Sequence, residues 1–135
     1  MTAPQKIVVE GNDGTGKTTL VGQLAGLGYD VQDRGVPTKM TDDPDLRPQD
    51  DVLYVVLDVP VEVSQQRLRR AGKDLDEQYH NVEDLTHYRA RYLELLSALP
   101  HHVLLDACGT PAEVLRRCLG LLAEQGVAPT KEETS

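Results

Sequence analysis

Tryptophan and phenylalanine are absent from this chain, which leaves five tyrosines as its only aromatic residues. Any stacking surface must come from Tyr29, Tyr54, Tyr79, Tyr88 and Tyr92, with histidine rings as weaker substitutes. Cysteine is almost absent too. Cys108 and Cys118 are ten apart, form no CxxC pair and have no histidine at metal-ligand spacing. They read as small buried or half-buried residues of a reducing compartment. No apolar run approaches the ~20 residues that a membrane span needs. Met1 to Lys6 holds no apolar signal core. The expectation is a cytoplasmic protein with no membrane partner. Positive charge is also in deficit, the net charge being −8, so the surface as a whole repels nucleic acid. Arg67, Arg69, Arg70 and Lys73 form one local exception.

Glycine is concentrated in one place. Gly11-Asn12-Asp13-Gly14-Thr15-Gly16-Lys17-Thr18 follows the apolar run Ile7-Val8-Val9 and opens the helical segment Thr19 to Ala25. Strand, glycine-rich turn and helix start are the context that the pattern G-x-x-x-x-G-K-[ST] requires. Glycines let backbone N–H groups converge on phosphate oxygens, and the helix N-terminus adds partial positive charge. Lys17 reaches the β- and γ-phosphates, and the Thr18 hydroxyl is a ligand for Mg²⁺. Asn12, Asp13, Gly14, Thr15, Gly16, Lys17, Thr18 and Thr19 are therefore the candidate nucleotide-binding residues, with ATP and Mg²⁺ as cofactors.

At 135 residues the chain makes one domain, spanning 1–135, with 126–135 as a polar tail expected to fray. A buried strand is predicted over Ile7–Glu10 and a helix from Lys17 to Leu27, stopped by Gly28. A short strand follows at Tyr29–Asp33. Arg34 to Asp51 shows no periodicity and reads as one long loop. Val52–Val59 is the clearest strand, and Pro60 begins a helix ending near Gly72. Gly72 to His80 reads as loop. Asn81 with Asp84 marks a helix start, and Leu85, Tyr88, Tyr92, Leu95, Leu96 and Leu99 follow at helical spacing up to Pro100. A strand at His102–Asp106 and a capping box at Thr110–Glu113 lead into a last helix to about Glu124. Strands alternating with helices predict an α/β fold, a three-layer parallel sheet with helices on both faces. Its ligands belong at the carboxyl ends of the strands, near Gly11–Thr18, Asp33-Arg34, Asp58 and Asp106–Gly109.

Val9 to Leu20 resembles the opening of thymidylate kinases and their nucleoside-kinase relatives. Leu57 to Val63 followed by Arg67 resembles the strand and arginine-bearing helix that precede the family's lid. Asp106-Ala107, Gly109-Thr110 and Glu113-Val114 are similar to its last strand and adenine-side loop, and Asp33-Arg34-Gly35 with Thr38 to its Asp-Arg motif. Thymidylate kinases are longer, and the extra residues fall between the first helix and the Asp-Arg motif, where they build the acceptor pocket. With that region reduced, the compact Asp33-Arg34-Gly35-Val36-Pro37-Thr38 segment is most similar to bacteriophage-type kinases that phosphorylate 5-hydroxymethyluracil in DNA.

The resemblance implies roles. Lys17, Asp33, Arg34, Arg67 and Arg70 are the candidate catalytic residues, Thr18 the metal ligand and Gly109 an adenine-side contact. Gly14 stands where some thymidylate kinases carry an arginine, so charge on the transferring phosphoryl must be met from Arg67, Arg69, Arg70 or Lys73. Each of these reads equally as part of a solvated basic face. Asp33 either helps the acceptor hydroxyl lose its proton, sits on the Mg²⁺ side, or closes its own turn. Arg34 suits an acceptor phosphate, and Asp13 either faces the acceptor or serves helix-start electrostatics. Asp58 reads as a cap of the following helix more than as a Mg²⁺-side carboxylate. Tyr88 and Tyr92 read as core, Tyr79 and His80 as acceptor contacts, and Asp106, Gly109 and Thr110 as the border of the adenine.

The resulting expectation is transfer of the γ-phosphate of MgATP to the hydroxymethyl group of a modified pyrimidine in DNA. The alternative is a minimal thymidylate-type kinase acting on a free pyrimidine monophosphate, as a monomer or homodimer. A nucleotide-dependent switch with no acceptor is the third reading. A tyrosine closing a base-sized pocket beside Asp33 favours the free nucleotide.

Overall fold

The computed structural model describes residues 4–43 and 45–130. Strands β1 (Lys6–Gly11), β2 (Asp30–Asp33), β3 (Val52–Asp58) and β4 (His102–Asp106) form one four-stranded sheet in the order β2-β1-β3-β4. Every pairing is parallel, so each connection is a crossover carrying a helix. The helices are α1 (Lys17–Gly26), α2 (Val36–Met40), α3 (Val61–Arg70), α4 (Val82–Leu95) and α5 (Pro111–Glu124). This is the expected α/β fold, a parallel sheet with helices on both faces.

Alternation along the strands sorts the core into two layers. Ile7 and Val9 of β1, with Leu53, Val55 and Leu57 of β3, pack under α1 and α5 against Leu20, Leu24, Val114, Cys118 and Leu122. Val8, Tyr54 and Val56 face the other way, against Met40 of α2 and Tyr92 and Leu95 of α4. The second face also receives carboxylates from two strand ends. Glu10 follows Val8 in the alternation and Asp58 follows Val56.

Local signals explain most boundaries. The Asn81 side chain accepts from Asp84 N at 2.8 Å to start α4. Thr110 and Glu113 cap α5 reciprocally, at 3.2 and 3.1 Å. Four expectations need correction. The long loop contains α2, a five-residue helix with Pro37 in its first turn. Too short to show a period, it is held from outside by Glu10. Pro60 is the N-cap of α3, not its first residue, and no side chain caps that helix. Asp58 does not cap it, because Arg89 of α4 holds its carboxylate through both oxygens at 2.8 and 3.1 Å. The tail does not fray at Gly126. Val127 is buried in the α1–α5 core, Thr130 N donates to Gly28 O, and the Gln5 amide bonds Gly126 O and Ala128 N. Residues 131–135 of that tail lie outside the described residues. No described helix is long and apolar enough to cross a membrane.

Candidate active site

The phosphate loop leaves β1 in the middle of the sheet and is pinned by two close approaches. A Cβ on Gly11 would lie 2.7 Å from Leu57 O, and one on Gly14 2.7 Å from Ser64 O of α3. Both residues also have positive φ, 143° and 80°. Only glycine fits at either position. An arginine at position 14 is sterically excluded.

Lys17 is almost fully buried, with 6% of its surface accessible. Its ammonium donates to Gly11 O at 2.8 Å and Asn12 O at 2.7 Å and lies 4.0 Å from Asp13 Oδ1. Burial pushes its pKa down to about 8, opposed chiefly by Asp13. An ammonium held on two backbone carbonyls is poised to exchange them for phosphate oxygens. Thr15 is also buried and donates to Asn12 O at 2.7 Å. The Asn12 side chain donates to Leu85 O at 2.7 Å, tying the loop to α4, so only its backbone is left for phosphate.

Asp33, the last residue of β2, brings Oδ2 to 3.4 Å from Thr18 Oγ1. One hydroxyl and one carboxylate beside a phosphate loop suit Mg²⁺, which keeps several waters and takes its other ligands from phosphates. Among the described residues no group of three or more His, Cys, Asp or Glu could hold a metal ion.

Arg34 takes a left-handed conformation, φ 60°, rare for a residue with a side chain. Its guanidinium lies 3.1 Å from Asp13 Oδ1, while His80 Nε2 stands 3.3 Å from Asp13 Oδ2. Asp13 thus joins three elements: the phosphate loop, the end of β2 and the loop before α4.

Arg67 of α3 spends its donors on backbone. Nη1 meets Thr15 O at 3.1 Å and Nη2 meets Ala107 O at 2.6 Å, with longer contacts to Gly14 O and Gly109 O. It clamps the phosphate loop to the loop after β4. Arg70 lines the neighbouring cavity, and Arg69 and Lys73 are exposed. Asp106 accepts from Cys108 N, whereas Gly109 and Thr110 line the cavity.

The two halves of the phosphate loop face different cavities. Gly14, Thr15, Gly16 and Thr19 line one of about 930 Å³, completed by Val63, Leu68, Val114 and the Cys108–Pro111 loop. Gly11, Asn12 and Asp13 line another of about 200 Å³, with Arg34, Thr38, Asp42, Tyr79, Tyr88 and Tyr92. Tyr92 is buried as expected. Tyr88 is not core: it lines the small cavity, its hydroxyl donating to Asp42 Oδ1 at 2.9 Å and its ring 5.6 Å from that of Tyr79.

Sequence reasoning missed Glu10, which is fully buried. Oε1 accepts from Gly35 N at 2.8 Å and Thr38 N at 3.3 Å, and Oε2 from Thr38 Oγ1, which also contacts Tyr92 Oη at 3.2 Å. Burial pushes the carboxyl above its ordinary range, against these donors and Lys17. The available signal was a carboxylate inside an otherwise apolar buried strand.

No family model matches the chain, and no curated protein does. Among solved structures, it is similar to a deoxyadenosine kinase from M. mycoides with dCMP and dCDP bound. That match has 13% identity and a TM-score of 0.61, covering 88% of this chain and 98% of the other. A gluconokinase from Sinorhizobium meliloti 1021 matches at 15% identity and TM-score 0.49, covering 92% and 94%. The chain therefore has the α/β fold in which the deoxyadenosine kinase is built.

Proposed function

We propose that this protein is an ATP-dependent kinase acting on a free pyrimidine deoxynucleoside monophosphate. One observation carries the proposal: a single phosphate loop divides its residues between two cavities. A transferase of phosphoryl groups needs a donor and an acceptor on opposite sides of the transferring phosphorus, in line. The large cavity suits the nucleoside of ATP, its apolar wall receiving the base and Gly109 and Thr110 bordering it. The small cavity suits a single pyrimidine between tyrosine rings, with Asp13 toward the sugar and Arg34 available to the acceptor phosphate. The similar deoxyadenosine kinase structure carries bound pyrimidine nucleotides, dCMP and dCDP.

An acceptor oxygen attacks the γ-phosphorus as the bond to the β–γ bridging oxygen breaks, releasing ADP. Lys17 exchanges its carbonyl partners for the β- and γ-phosphate oxygens and stabilises their charge. Thr18 and Asp33 are the residues that would hold Mg²⁺, and the ion would supply charge neutralisation. The 3.4 Å approach of Asp33 to Thr18 supports this role over that of a base.

The reading on DNA rests on a different observation. Only three residues separate α1 from β2, so no segment is inserted there to cover the small cavity, and a base flipped from a duplex could enter. Charge weighs against it. Asp42 lines the cavity, Asp43 follows, and Asp84 holds the Tyr79 backbone at 2.8 Å, a poor setting for a phosphate backbone. The test offers labelled γ-phosphate from ATP to free deoxynucleosides, their monophosphates and duplexes containing 5-hydroxymethyluracil. Label in a pyrimidine monophosphate is expected. Label only in the modified duplex establishes the DNA reading, and ATP hydrolysis that no acceptor alters sinks both.

A further inference from the structure

We infer that Glu10, buried beneath the small cavity, sets the hydrogen-bond polarity of the cavity wall and thereby selects which pyrimidine edge is accepted. The inference rests on the acceptor-cavity reading above and adds a specificity determinant to it.

A carboxylate buried among apolar strand residues is costly unless its oxygens are bonded, and a well-packed apolar residue would stabilise the fold more. Among the described residues no cation is in direct contact with the Glu10 oxygens; its partners there are two N–H groups and one hydroxyl. All three belong to Gly35–Thr38, the segment that follows Arg34. Gly35 is small for a reason that fits: a Cβ there would lie 2.9 Å from Val8 Cγ1. The segment is drawn tightly onto β1.

The direction of the protons follows from counting them. Oε1 takes both N–H groups, and Oε2 takes the Thr38 hydroxyl proton. Thr38 has only that one proton, so toward Tyr92 it can only accept, and Tyr92 donates. With the Glu10 carboxyl ionised, the chain runs from Tyr92 to Thr38 to Glu10. Tyr92 and Thr38 both line the cavity, and the Tyr92 hydroxyl has spent its proton inward. What Tyr92 presents to a ligand is an acceptor. A base edge that donates there is bound, and one that accepts there meets a lone pair.

Glutamine at position 10 keeps the shape and reverses the chain. Its oxygen must stay on the two backbone N–H groups, so its NH₂ faces Thr38 and donates. Thr38 then turns its proton to Tyr92, and Tyr92 turns its own to the cavity. Thymidylate and deoxycytidylate have base edges of opposite polarity, N3–H and O4 against N3 and N4–H₂. Where N3 or the group at position 4 meets Tyr92, the preference between the two must move.

The experiment compares wild type with Glu10→Gln, using kcat/KM for thymidylate and deoxycytidylate with ATP. The ratio of the two values is expected to move at least about tenfold, a discrimination typical of a lost or reversed hydrogen bond, with KM for ATP unchanged. A ratio that stays put overturns the inference. The tyrosine doublet in the Raman spectrum separates donating from accepting phenols, with Tyr92 isolated by subtracting Tyr92→Phe. Tyr92 is expected as a donor in wild type and an acceptor in Glu10→Gln, and an unchanged doublet overturns the inference whatever the kinetics show. Should Glu10→Gln not fold, Thr38→Val breaks the chain at its middle and is expected to bring the ratio toward one; an unchanged ratio there also overturns it. If wild type binds neither nucleotide, read from its tyrosine fluorescence, the acceptor reading fails while the Raman arm still tests the chain.

Discussion

The two faces of the sheet are built on different principles. Under α1 and α5 the buried strand side chains form one continuous aliphatic core. Under α2 and α4 the apolar cluster is smaller, and the strand ends carry Glu10 and Asp58, each bonded to the helical layer. Dispersion and hydrophobic burial are non-directional, so the first face secures stability without fixing any one atom's position. Hydrogen bonds to a buried carboxylate add little net stability but are directional. The face that must place Arg34, Thr38 and Tyr92 around a small cavity uses the directional kind.

Substitutions can separate the two faces. The largest effect on turnover falls at their junction. Lys17→Met should lower kcat by at least ~10²-fold, as loss of a charge-stabilising donor does. Because its folded pKa is about 8 against 10.5 unfolded, the ammonium opposes folding below pH 8, and that opposition lifts as pH rises from about 8 to 10.5. A shift of this size corresponds to about 3 kcal/mol. Thermal melts from pH 7 to 10.5 should therefore show wild type gaining stability relative to Lys17→Met. A gap that is constant with pH would mean the lysine is not buried as described.

Next in size is the apolar face. Leu24→Ala removes a fully buried side chain and should cost about 2–5 kcal/mol in urea unfolding. Turnover per folded molecule should be retained at temperatures well below the melt. Glu10→Gln should do the opposite, changing acceptor kinetics with little loss of stability at neutral pH. Its sign with pH is also opposite to that of Lys17. A carboxyl raised by burial holds its proton more tightly when folded, so wild type loses stability relative to Glu10→Gln as pH rises above the unfolded value of 4.5. Equal melting profiles at every pH would contradict that burial. Smallest is Thr110→Ala, the α5 cap, expected to cost about 1 kcal/mol and to leave acceptor KM unchanged.

The sequence was most readable where partners are neighbours. The phosphate loop, the Asn81–Asp84 cap and the Thr110–Glu113 box are contiguous signals, and alternation in Val52–Leu57 was unnecessary because both faces are buried. What stayed hidden has its partner far along the chain. Glu10 meets Gly35 and Thr38 twenty-five and twenty-eight positions later, and Asp58 meets Arg89 thirty-one later. A carboxylate at a strand end looks the same in sequence whether it caps, ligates or anchors. The contacts of Arg67 with backbone carbonyls were not legible, because carbonyls leave no mark in a sequence. Tyr88 fell on the periodic stripe of α4, yet the stripe outruns the core at that turn and faces the cavity instead.

The pairing of Gln5 with Gly126 and Ala128 has a practical consequence. It brings the described start and finish of the chain together at the amino-end rim of the sheet, where β1 begins and α5 runs out. Both cavities open at the opposite rim. A peptide bridging those ends would be short, and new termini cut into the exposed turn around Gly72 would yield a circularly permuted chain with an undisturbed phosphate loop. A segment attached at Gln5 or Ala128 would leave from the rim opposite both cavities.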